Sequence, residues 1–139
     1  MKSKTNLARA PKLDCWQQRE TVQTGIYGDK AKAMGLPMFV PDDVHQERVM
    51  AAIYGPQGAK AGYTNGICRE DLISAAEYLV KTHGCNCLIL GCTELPLILD
   101  ESDDFEVAGS RVIVVDPTAA LARKVVKTAE DAYAATGIR

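Results

Sequence analysis

With 139 residues, a net charge of −2 and 47% hydrophobic residues, the chain has the size and composition of one globular domain with a single core. It lacks the basic bias that nucleic acid calls for, and no apolar run approaches the 18 or more residues of a membrane span. The start, MKSKTNLARAPK, is basic but has no apolar stretch of the signal-peptide kind, so the cytoplasm is the default compartment.

Residues 1–19 show no clean period of two or of 3.6, and LDCW (Leu13 to Trp16) is the only strand-like piece among them. From Glu20 onward short apolar runs alternate with longer amphipathic ones, which marks 20–139 as the domain. Glu20 to Gly35 is predicted helical, and PMFVP (Pro37 to Pro41) reads as a short strand closed by proline. Asp42 and Asp43 suit a helix N-terminus, opening a helix to Tyr54 that would bury Val49, Met50, Ile53 and Tyr54. GPQGAKAGYTNG is a glycine-rich loop.

Between Arg69 and His83, Leu72, Ala76, Leu79 and Val80 fall on one helical face, and Gly84 ends the helix. Cys87 to Leu90 (CLIL) is apolar without alternation, as in a strand covered on both faces. A Gly-Cys-Thr-Glu corner follows, then a short helical turn to about Leu99. DESDDFEVAGS is expected to be an acidic surface loop. RVIVV (Arg111 to Val115) is a strand, and Asp116-Pro117-Thr118 opens a last helix expected to bury Leu121, Val125 and Ala129. The alternation predicts an α/β fold: a three-layer open parallel sheet of three to four strands with helices on both faces.

The five cysteines (Cys15, Cys68, Cys85, Cys87 and Cys92) are odd in number, which argues against a disulfide framework. Their spacing is not that of a zinc site, and His45 and His83 do not complete one, so no metal is expected. Cys92 is different in position. It stands just past a strand, where open α/β sheets bind ligands, at the start of a helical turn with Thr93 as a candidate N-cap. That position fits a thiolate acting as base or nucleophile. It fits a small buried residue at a strand end equally well.

Four segments in order carry a resemblance: ETVQTGIYGD (Glu20 to Asp29), RVMAAIYGPQGAKAG (Arg48 to Gly62), CLILGCTEL (Cys87 to Leu95) and VVDPTAALA (Val114 to Ala122). Together they resemble the aspartate/glutamate racemase family, in its C-terminal half only. The match is nearer the aspartate-type branch, because Glu94-Leu95 follows the Gly-Cys-Thr. The resemblance implies one half of a two-domain fold and a cofactor-independent enzyme. In such an enzyme two cysteine thiols remove and return the α-proton of a small acidic amino acid.

By the same resemblance Cys92 is one of those thiols, Thr93 binds substrate, and Glu94 orients the amino group or the neighbouring thiol. Lys60 would pair with the substrate's side-chain carboxylate, although a solvated loop lysine is its plainer reading. Thr21 and Thr118 are further substrate-binding candidates, or simply helix caps.

The departures are specific. The family's other cysteine lies in a Cys-Asn-Thr motif of the first half, which this chain lacks. Its central strand, ending in Ala-Thr-x-Gly-Thr, is replaced here by Cys15-Trp-Gln-Gln-Arg-Glu, a loss that would leave strand edges unpaired. The expectation is a truncated racemase that forms a homo-oligomer or pairs with the missing N-terminal half. The alternatives are a catalytically inactive amino-acid-binding or interaction module, or a one-cysteine decarboxylase of the same superfamily.

Overall fold

The computed structural model describes residues 12–16 and 25–137. Thr21 and the start of the helix expected from Glu20 lie outside the described residues. Strands β1 (Leu13–Trp16), β2 (Met38–Phe39), β3 (Cys87–Leu90), β4 (Ser102–Val107) and β5 (Ser110–Val115) form one sheet in the order β2-β1-β3-β5-β4. All neighbours pair parallel except β4 and β5. The helices are α1 (Ile26–Ala33), α2 (Asp43–Tyr54), α3 (Ile67–His83) and α4 (Pro117–Ala135). The predicted mixed α/β class is what the chain adopts.

Local chemistry sets the helix ends. Asp42 accepts the backbone N–H of His45 at 2.9 Å, a regular N-cap. That bond and the contact with the His45 ring at 2.6 Å hold the Asp42 carboxyl below its usual range. Gly84 ends α3 in the left-handed conformation at φ 66°, which glycine adopts without steric cost.

The core lies on one face of the sheet. Trp16, Leu88, Leu90, Val112 and Val114 point into it and meet Val49 and Ile53 of α2 and Leu72 and Leu79 of α3. Met50 is half-buried and Tyr54 is 48% exposed, so α2 buries a narrower stripe than its sequence suggests. The strand residues of opposite phase, Leu13, Cys87, Ile89 and Val115, are half-buried, and Ile113 is exposed. CLIL therefore alternates in burial despite its uniform composition.

Three expectations are corrected. First, the central strand is not lost: LDCW takes that place and pairs with Met38-Phe39 on one side and with all of β3 on the other. Second, the sheet has five strands rather than three or four, because the acidic stretch expected to be a loop contains β4. Phe105 and Val107 face inward at a spacing of two, while Asp103, Asp104 and Glu106 face water. The turn into β5 is Ala108-Gly109 with φ of 52° and 73°, the geometry of a two-residue hairpin. Alanine there hides a signal that asparagine would have given. Ala108→Asn should relieve left-handed strain and raise stability by up to about 1 kcal/mol, seen as a higher urea midpoint; a lower midpoint would count against this reading of the turn.

Third, α4 buries nothing. Asp116 caps it through the Thr118 N–H at 2.9 Å, but every side chain from Leu121 onward is exposed. Leu121 and Val125 are 64% and 57% exposed. The helix starts two residues after β5 ends, and it runs off the sheet instead of folding back onto it.

Candidate functional site

The corner after β3 is built by backbone bonds and buried leucines. Gly91 donates its N–H to the Trp16 carbonyl at 2.8 Å, which ties the exit of β3 to the exit of β1. A single 3₁₀ turn, Leu95–Leu97, follows. Leu95, Ile98 and Leu99 sink into the core, and Arg69 of α3 donates to the Ile98 carbonyl at 2.9 Å. With those residues anchored, Cys92, Thr93 and Glu94 stay at the carboxyl edge of the parallel strands.

The expected N-cap is absent. Thr93 turns its hydroxyl to Glu94 Oε2 at 3.1 Å instead of to a backbone N–H, and a three-residue 3₁₀ turn supplies no helix dipole of any length. What lies beside the thiol is a carboxylate. Cys92 Sγ donates to Glu94 Oε2 at 2.7 Å, and Cys92 is half-buried.

Lys60 reaches the same carboxylate, with Nζ 3.4 Å from Glu94 Oε1. Two features of the loop bring it there. A Cβ on Gly58 would lie 2.7 Å from the Ala51 carbonyl and 2.8 Å from that of Ala52, so only glycine lets the loop run this close to the end of α2. The Lys60 ammonium also stands over the Tyr54 ring, 4.9 Å from its centroid. Tyr54, expected in the core, is thus the residue on which Lys60 rests. Its only sequence signal was its place in the same short segment as Lys60.

The Glu94 carboxyl is held below its ordinary value of 4.5, first by the thiol's hydrogen bond and then, against the opposing effect of burial, by the Thr93 hydroxyl and the Lys60 charge. Glu94 therefore binds a proton less readily in the fold than in the unfolded chain. Its contribution to stability is complete above pH 4.5 and is lost as pH falls through the lower folded value. Glu94→Gln should flatten the acid limb of a stability–pH curve measured by urea unfolding. An unchanged limb would show that the network does not hold the carboxylate in solution.

The structure thus brings Cys92, Thr93, Glu94 and Lys60 together. Thr118 stands apart at the start of α4, exposed, on the same carboxyl edge of the sheet because β3 and β5 run parallel in register. Thr21 is outside the described residues. Of the other cysteines, Cys68 and Cys85 are buried, with thiols directed at the Asn65 and Leu13 carbonyls. A groove of about 730 Å³ lies along Glu101 to Asp104, Ile113 to Val115 and Arg123, and none of the Cys92 group lines it.

Comparison with known proteins places the geometry in a family context. A family model described as Asp/Glu/hydantoin racemase matches residues 18–125. An uncharacterised protein of Pectobacterium carotovorum subsp. carotovorum is 36% identical over 107 residues, covering 77% of this chain and 65% of that protein. Among solved structures, the aspartate racemase of Picrophilus torridus aligns with a TM-score of 0.62 at 26% identity, over 86% of this chain and 46% of that one. An aspartate racemase homologue from Pyrococcus horikoshii OT3 aligns with a TM-score of 0.69 at 24% identity, over 86% and 48%. The chain thus spans about two thirds of the first of these proteins and under half of the two solved structures.

Proposed function

Since this chain belongs to the Asp/Glu/hydantoin racemase family, we propose that it carries one half of a cofactor-independent amino-acid racemase site, with Cys92 as one of its two acid/base thiols. The observation that carries the reading is the Cys92–Glu94 bond at 2.7 Å, made at the carboxyl edge of the sheet with Lys60 on the same carboxylate.

Racemisation breaks a Cα–H bond on one face of the substrate and makes one on the other. A thiolate at Cys92 takes the α-proton and becomes a thiol, leaving a carbanion. A second thiol on the opposite face then gives its proton to that carbon and becomes the thiolate for the reverse turn. One base alone tends to return the proton where it found it, so two are needed, each within reach of the same carbon.

Glu94, as acceptor for Sγ, orients the thiol and is near enough to engage a substrate ammonium. Thr93 offers its hydroxyl and backbone N–H to the α-carboxylate. Lys60 pairs with the side-chain carboxylate of aspartate or glutamate, exchanging Glu94 for the substrate. Thr21 and Thr118 supply further contacts. The second thiol is supplied by a second copy of the chain or by a first half of the family's kind. Among the described residues no helix is long and apolar enough to cross a membrane, in keeping with an enzyme of the cytoplasm.

A second reading is a module that binds an acidic amino acid without turnover, favoured by the bond to Glu94 in which Cys92 is held as the thiol, the form that takes no proton. The two separate on incubation with L-aspartate in heavy water, followed for α-deuterium and for D-aspartate. Uptake with inversion means a complete two-thiol site, and uptake without inversion means a working half-site. Binding of L-aspartate with no uptake overturns the racemase reading in favour of the module.

A further inference from the structure

The loop between α2 and α3 ends in Thr64-Asn65-Gly66, and the chain has no other Asn-Gly and no Asp-Gly pair. Residues 60–67 are all exposed. Gly66 is the N-cap of α3, with φ 76° and ψ −133°. That backbone is open to glycine and strained for a residue with a Cβ, so the entry of the helix itself demands glycine after Asn65.

This glycine leaves its nitrogen uncovered. A Cβ on Gly66 would meet nothing within 4 Å, so the space beside it is open. Among the described residues the Gly66 N–H donates to no acceptor, while its carbonyl accepts from the Glu70 N–H at 3.0 Å. An exposed carboxamide thus precedes a bare amide nitrogen whose proton is accessible to base. Asn86 is the contrast. It is half-buried, its Oδ1 accepts the Lys12 N–H at 2.9 Å, and the residue after it, Cys87, bears a side chain.

We propose that Asn65 is a site of spontaneous deamidation, with water as the only co-reactant. The Gly66 nitrogen gives its proton to base and attacks Asn65 Cγ. The new N–C bond closes a succinimide ring, the Cγ–Nδ2 bond breaks, and ammonia leaves with a proton. Water then adds to one of the two ring carbonyls. Opening at Cγ gives aspartate. Opening at the backbone carbonyl gives isoaspartate, in which the chain runs on through the side-chain carbons and the α-carboxyl is free. That free carboxyl is the group a protein carboxyl methyltransferase esterifies from S-adenosylmethionine, so an enzyme of that class fits the product.

The two products act differently on α3. Aspartate puts a carboxylate one residue before the N-cap, where the helix dipole favours it. Isoaspartate lengthens the backbone by one methylene. The Asn65 carbonyl accepts the Cys68 thiol at 3.2 Å, and Cys68 is buried in the first turn of α3. The longer link displaces that carbonyl from the thiol. The site is separate from the corner at Cys92 and does not depend on the reaction proposed there.

The test is incubation of the full, folded chain in mildly alkaline buffer, followed by peptide mass spectrometry and by enzymatic methylation of isoaspartate. Because glycine adds no Cβ beside its nitrogen, Asn65 is expected to convert at least about ten times faster than Asn86. Methyl labelling should grow in step and vanish in Asn65→Gln, whose longer side chain closes the ring far less readily. The aged chain should show a lower urea midpoint, and Asn65→Asp should not. Conversion at Asn65 no faster than at Asn86 overturns the proposal, as does labelling that persists in Asn65→Gln. An aged, methyl-labelled chain with the midpoint of Asn65→Asp overturns the effect assigned to isoaspartate on α3.

Discussion

Alanine in place of Cys92 will lower Cys92-dependent α-deuterium uptake by L-aspartate about 10²- to 10⁴-fold, the range that a positioned acid or base contributes. On the proposed roles the thiol is the group that meets the α-proton, so no neighbour can take its place. Glu94 already accepts from Sγ, and Lys60 is held on the far oxygen of the same carboxylate. Cys92→Ser sharpens the test. A serine hydroxyl keeps the hydrogen bond to Glu94 and most of the shape but does not ionise near neutral pH. Substrate binding should therefore survive while exchange is lost, a fall in kcat with little change in KM. Exchange that persists in both variants would remove Cys92 from the chemistry and leave the corner as a binding feature only.

The largest effect on stability should come from Trp16→Ala, which is expected to cost about 3–5 kcal/mol, the usual range for truncating a buried aromatic. That is a large fraction of the ~5–15 kcal/mol by which a domain is stable. Trp16 is the only tryptophan, fully buried at the end of a four-residue strand that must bridge β2 and β3. Its carbonyl also holds Gly91 at the head of the Cys92 corner, so a loosened β1 would loosen the site. Urea unfolding followed by circular dichroism measures the loss. Trp16→Phe should cost much less, because the indole Nε1 is buried without a partner among the described residues and phenylalanine removes that donor with little loss of apolar area. A phenylalanine variant as damaged as the alanine one would show that the indole N–H makes a bond the fold depends on.

Both predictions concern a corner that was legible in the sequence. Gly-Cys-Thr-Glu after an apolar run marks a strand exit, and the buried face of α3 follows from the spacing of Leu72, Ala76, Leu79 and Val80. The acceptor for the thiol was less legible. A good N-cap at Thr93 and a helix dipole were the expectation, but Pro96 and the buried Leu95, Ile98 and Leu99 shorten the segment to one 3₁₀ turn. Glu94, two residues from Cys92, then becomes a partner for the thiol.

By itself the sequence determined what local physics governs: the order of β2, β3 and β5 with the helices that follow them, the caps at Asp42, Gly84 and Asp116, and the position of Cys92 past its strand. Backbone propensity and hydrophobic period act over a few residues, so they are visible without a fold. Tertiary structure decided the rest. LDCW becomes the central strand because two neighbouring strands offer it hydrogen bonds, not because four residues insist on it. Ser102–Val107 pairs with β5 across a turn whose alanine gives no sign of it. Lys60 meets Glu94 across 34 positions of sequence through the close approach of Gly58 to α2. The apolar stripe of α4 has the period of a core helix, but burial needs a second surface in reach, and only the fold shows that the described residues place none there.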